Sequence, residues 1–134
     1  MSQAMSQGAV LVIEDDEAIA ALLAEVLTAE GYHVMRVAGP GDALALLAVA
    51  GPDAFDVVLR RPFSRQRADP EAFLGQLRAR TNAPIVICAR LPAPVCADNW
   101  RRGSASFLAE PLDLADLMAL VTSLAPTAAE PVRA

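Results

Sequence analysis

Short apolar runs that break off abruptly in charge decide what this chain can fold into. Ala9-Val10-Leu11-Val12-Ile13 stops at Glu14-Asp15-Asp16-Glu17, and a third strand from Phe55 to Arg60, with Val57, Val58 and Leu59 as its apolar body, ends in Arg60-Arg61-Pro62. Tyr32 to Val37, Ile85 to Cys88 and Ser106 to Leu108 are further runs of the same kind. Runs of about five residues match buried strands, and none approaches the roughly 20 apolar residues that cross a bilayer. Between them the period changes to that of a helix. Ile19, Leu22, Leu23, Val26 and Leu27 recur at helical spacing from Glu17 to Glu30. Leu44, Leu46 and Leu47 mark a second helix, and Phe73, Leu74 and Leu77 a third. Leu114, Leu117, Leu120 and Val121 mark a last one, from Asp113 to about Leu124.

The breaks between these segments carry their own chemistry. Gly31 suits a left-handed helix end, Asp42 is expected to cap the second helix, and Gly51-Pro52-Asp53 breaks the chain. Asp69 followed by Pro70 reads as a cap and a first-turn proline. Pro92 and Pro94 delay a fourth helix, before the last strand. Strands alternating with helices imply a parallel sheet covered on both faces, joined by right-handed crossovers. The 134 residues fit one domain, expected over 9–125, with a disordered start at 1–8 and a tail at 126–134.

Composition excludes several functions. Hydrophobic residues make up 54% and aromatics 4%, so the core is aliphatic. A net charge of −5 lacks the basic footprint that nucleic acid requires. Met1 to Gly8 has neither the basic start nor the apolar run of a secretion signal, so a cytoplasmic protein without membrane attachment is expected. Cys88 and Cys96 form no disulfide framework and lack the further ligands of a zinc site. No base stands near Thr81, Ser104 or Ser106 in a pattern that suggests hydrolysis, and the chain is not expected to be an enzyme. His33, the sole histidine, lies in a strand at the end away from the acids.

In an open α/β sheet, ligands bind beyond the carboxyl ends of the strands. Those ends hold Glu14-Asp15-Asp16, Arg60-Arg61, Cys88-Ala89-Arg90 and Glu110-Pro111. The segments Val10 to Asp16, Phe55 to Leu59 and Gly103 to Leu112, taken in order, resemble a response-regulator receiver domain. The resemblance spans roughly Val10 to Leu124. It implies a CheY-like, flavodoxin-like (βα)5 fold with a five-stranded parallel sheet in the order 2-1-3-4-5. It also implies an acidic pair that binds Mg²⁺ and a phospho-accepting aspartate after the third strand. A hydroxyl residue after the fourth strand, a switch aromatic in the fifth and a lysine before a proline complete the pattern.

Carried over residue by residue, Glu14 and Asp15 match the acidic pair, with Asp16 beside them, and Pro111 matches the proline. Phe107 falls at the switch aromatic but lacks a phenolic hydroxyl. Arg61 occupies the acceptor position, Glu110 replaces the lysine, and either Ala89 or Cys88 falls at the hydroxyl position. A guanidinium offers no carboxylate to form an acyl phosphate, and it places a cation where the metal would bind. Asp56 is no substitute, since it lies about 16 Å away at the other end of the third strand. The expectation is an unphosphorylated, stand-alone receiver with no cofactor and with Mg²⁺ binding lost. Arg61 would turn toward Glu14, Asp15 and Glu110. Its partners would be proteins of a signalling pathway, such as a histidine kinase or an output protein. A homodimer would use the face of the fourth helix, fifth strand and last helix, where Trp100 could act as an anchor. The alternative is a small-molecule or cyclic-nucleotide sensor that uses Arg60, Arg65 and Arg67 of the arginine-rich loop 60–67.

Overall fold

A computed structural model describes residues 8–60, 70–90, 105–110 and 113–125; at 70–73, 89–90 and 105–110 it describes the backbone. The elements in chain order are β1 (Ala9–Ile13), α1 (Glu17–Ala29), β2 (His33–Val37), α2 (Pro40–Ala50) and β3 (Val57–Arg60). They continue with α3 (Pro70–Arg80), β4 (Ile85–Arg90), β5 (Ala105–Glu110) and α4 (Leu114–Leu124). All strand pairs are parallel, and the sheet runs β2-β1-β3-β4-β5.

Side-chain alternation along the strands divides the core in two. Leu11, Ile13, Val58, Ile85 and Ile87 pack with Ala43 and Leu47 of α2 and Leu74 and Leu77 of α3. Val10, Val12, Val57, Leu59, Val86 and Cys88 pack on the other face with Leu23 and Leu27 of α1 and Leu117 and Val121 of α4. Central strands buried on both faces explain why the sequence shows unbroken apolar runs there and not alternation.

The start of the sheet is fastened by local chemistry. Asp56 accepts the Ala9 amide on Oδ2 at 2.8 Å, and its own amide donates to the Ala9 carbonyl at 2.7 Å. Gly31 has φ 102°, as its place after α1 requires. The Tyr32 hydroxyl donates to the Ala125 carbonyl at 2.6 Å, tying the entry of β2 to the end of α4.

Several boundaries differ from the sequence reading; β2 starts at His33, one residue later than expected, and β5 is longer at both ends, Ala105–Glu110. α2 begins at Pro40 with Gly39 as its cap, so Asp42 lies in the first turn and caps nothing. Proline at the first helical position presets φ and starts the helix earlier. β3 starts at Val57, because the side chain of Asp56 is already engaged by Ala9. β4 continues past Cys88 to Arg90, where Ala89 and Arg90 pair with Ala109 and Glu110 of β5. Asp69, the expected fourth helix with Trp100, and the tail lie outside the described residues.

Candidate functional site

Strand register defines the site. Ile13, Arg60 and Ile87 form one row across β1, β3 and β4. The next residues along these strands are Glu14, Arg61 and Cys88. The sheet therefore sets Glu14, at the end of β1, near Cys88 of β4, toward the carboxyl edge where this fold type binds ligands.

The three acids do different work. Glu14 is 3% exposed, and its Oε2 accepts the Asp16 amide at 2.9 Å. Its own amide donates to the Val37 carbonyl at 3.1 Å, which holds the strand end against β2. Asp15 is exposed. Asp16 caps α1: its Oδ1 accepts the amides of Ala18 at 3.0 Å and Ile19 at 3.2 Å. This satisfies two of the amides that a helix start leaves open. Glu17 pairs with Arg36 at 3.3 Å on the surface, where such a pair contributes little.

Arg60 corrects the sequence reading. Grouped there with the loop cations, it is the last residue of β3 and only 3% exposed. Alternation assigns it to the face of Val58, between Ile13 and Ile87. Removal from water lowers its pKa to about 10, so it remains a cation at neutral pH. The sequence signal was its place directly after Val57-Val58-Leu59, inside a central strand.

Cys88 is buried on the opposite face of the sheet. With Val12, Leu23 and Leu59 it lines a cavity of about 10 Å³ that Ile13, Glu14 and Arg60 also border. That volume is near the minimum for one water molecule and far too small for a nucleotide. A buried carboxylate, a buried guanidinium and a thiol thus surround one small void at the strand ends.

Arg61, Arg65, Arg67 and Pro111 lie outside the described residues. Ala89, Phe107 and Glu110 are described as backbone positions: Phe107 pairs with Ile87, Ala89 with Ala109 and Glu110 with Arg90. The structure thus brings Glu14 and Cys88 together and sets Asp16 to a capping task. Among the described residues no group of three or more His, Cys, Asp or Glu is placed to hold a metal ion. One oxygen each of Glu14 and Asp16 is committed to backbone amides, and Asp15 is exposed.

This open parallel sheet, with acids at the carboxyl end of β1, has counterparts among solved structures. A crystal structure of a two-component response regulator from Clostridium difficile superposes with a TM-score of 0.78 at 19% identity, over 88% of this chain and 95% of that one. The beryllofluoride-activated NtrC receiver domain superposes at 0.70 with 26% identity, over 90% and 95%. The chain has the CheY-like fold of response-regulator receiver domains. In sequence it is 29% identical over 111 residues to the transcriptional regulatory protein PdtaR of Mycobacterium tuberculosis, covering 81% of this chain. It spans about half of that relative, 52% of its length. No protein-family model matches the chain. Among the described residues no helix is long and apolar enough to cross a membrane.

Proposed function

We propose that this chain is a receiver domain of two-component signalling that works without being phosphorylated and passes its signal by protein–protein contact. One observation carries the reading. Ile13 pairs with Arg60 in the sheet, and the residues that follow these two in the sequence are the buried Glu14 and Arg61. Phosphoryl transfer to a receiver needs a carboxylate oxygen as nucleophile, and a guanidinium provides none.

The same substitution replaces the metal. Mg²⁺ demands a near-octahedral shell of oxygens, and this edge offers Asp15 and part of Glu14 beside a cation. In our reading Arg61 supplies the counter-charge that Glu14 and Asp15 would otherwise take from metal, with Glu110 as a further acidic partner. Two unit charges about 4 Å apart interact by roughly 4 kcal/mol at an intermediate dielectric, and desolvation offsets much of it. The consequence is one fixed arrangement of the loops. A partner such as a histidine kinase or an output protein then recognises a surface that phosphate does not control.

Beryllofluoride with Mg²⁺ mimics an acyl phosphate only where an aspartate carboxylate and a metal site are both present. Thermal unfolding of the wild-type chain is expected to be unchanged by it. A rise in Tm would overturn the reading. The sensor alternative has lost one contact, because Arg60 is buried in β3 and does not stand in a solvated loop.

A further inference from the structure

The first and last residues of a domain fray unless something ties them down. Gly8, before β1, and Ala125, after α4, are both buried. One side chain meets them both. Tyr32 is 3% exposed and packs with Leu27, Val121 and Ala125 on the α1 and α4 face of the sheet. Its amide donates to the Leu27 carbonyl at 3.1 Å, which seats the ring at the end of α1. Its hydroxyl donates to the carbonyl of Ala125, the C-cap of α4. Its ring edge meets Gly8: a Cβ there would lie 2.9 Å from Cε1 and 3.0 Å from Cδ1. Gly8 is in turn held to β2, since its carbonyl accepts the His33 amide at 2.9 Å.

We propose that Tyr32 is a rigid link between the entry of β1 and the end of α4, so that a partner drawing on either end is felt at the other. The ring has no soft joint between the edge that meets Gly8 and the hydroxyl that holds Ala125. Close-packed interiors transmit displacements of this kind. Pressure on the ring from Gly8 moves the hydroxyl off the Ala125 carbonyl. The bond lies in the core, so loss of the donor leaves a buried acceptor unmet and favours opening of the last turn of α4. Release of the α4 end, conversely, frees the ring and loosens the contact between Gly8 and His33. The link does not depend on whether the carboxyl edge takes phosphate.

Amide hydrogen exchange of the full chain, read residue by residue by NMR, tests the coupling. The Ala125 amide closes α4 on the Val121 carbonyl, and the His33 amide reports on Gly8. The Gly51 amide, which closes α2 on the Leu47 carbonyl at the other face of the sheet, is the reference. Tyr32→Phe removes only the hydroxyl and should speed exchange about fivefold at both Ala125 and His33, with Gly51 unchanged. Gly8→Ala should speed Ala125 by a similar factor, from the opposite end of the domain. Made in Tyr32→Phe, the same Gly8→Ala change should no longer move Ala125, because the link is already cut. An Ala125 amide that ignores Gly8→Ala, equal effects of Gly8→Ala in the two backgrounds, or equal acceleration at Gly51 would overturn the proposal. Should Gly8→Ala fail to fold, Tyr32→Phe alone decides: faster exchange at Ala125 without any at His33 contradicts the link.

Discussion

Arg60 of β3 stands in register between Ile13 of β1 and Ile87 of β4, a buried cation in a row of isoleucines. Desolvation lowers its pKa to about 10, which corresponds to roughly 3 kcal/mol between its charged and neutral forms. Arg60→Met keeps the length of the side chain and removes the charge. Urea denaturation should show a gain of up to about 3 kcal/mol, as when buried ionic groups are replaced by apolar ones. A loss of stability would show that the contacts of the guanidinium outweigh its desolvation.

The same group fixes a pH dependence. Below about pH 9 Arg60 is protonated both folded and unfolded and contributes no slope. From about pH 10 up to the ordinary arginine range the folded state releases the proton first, the unfolded state binds more protons, and stability from this group rises with pH. The stability difference between Arg60→Met and wild type should therefore shrink across that window. Parallel denaturation series for the two proteins measure it.

Tyr32 ties two distant parts of the chain through its 2.6 Å hydrogen bond to the Ala125 carbonyl. Tyr32→Phe should cost about 1 kcal/mol, since the ring still packs and one buried carbonyl loses its donor. Gly8→Ala should also destabilise, because its Cβ would come within 2.9 Å of the Tyr32 ring, a typical overpacking cost of about 1–3 kcal/mol. Chemical denaturation of each variant checks both values.

Thr81 is 2% exposed and links the loops before β3 and β4. Its hydroxyl donates to the Pro52 carbonyl at 3.3 Å and accepts the Ala83 amide at 3.1 Å. Thr81→Val keeps the shape and leaves a buried amide unmet, at about 1–3 kcal/mol. Thr81→Ser should recover most of that loss in the same denaturation assay.

Asp16→Ala removes the cap of α1 and should cost about 1 kcal/mol, with Asp16→Asn close to wild type. If both variants unfolded at the wild-type denaturant midpoint, the capping role would be contradicted.

Much of the fold was legible in the apolar runs, because each central strand is buried on both faces and its sequence is correspondingly unbroken. β1 matches residue for residue, and α1 ends at the glycine that closes it. Positions decided by local competition were less legible. Asp42 looks like a cap in the sequence, but Pro40 starts the helix before it. Arg60 was legible as the end of the third strand but also reads as one of the solvated cations, because a charge at the end of an apolar run looks exposed. Pairing with Ile13 and Ile87 on both sides is what buries it. The acids of the site were visible as a run, but their division into a buried Glu14, an exposed Asp15 and a capping Asp16 depends on the turn into α1.

The proposed function turns on Arg61, which follows Arg60 of β3 in the sequence, and its most direct test is covalent. The wild-type chain and Arg61→Asp are incubated with acetyl phosphate and Mg²⁺, and their intact masses are measured. The account predicts an unchanged mass for the wild type, with phosphate appearing only where Arg61→Asp supplies the carboxylate. A stable phosphate on the wild-type chain would contradict it.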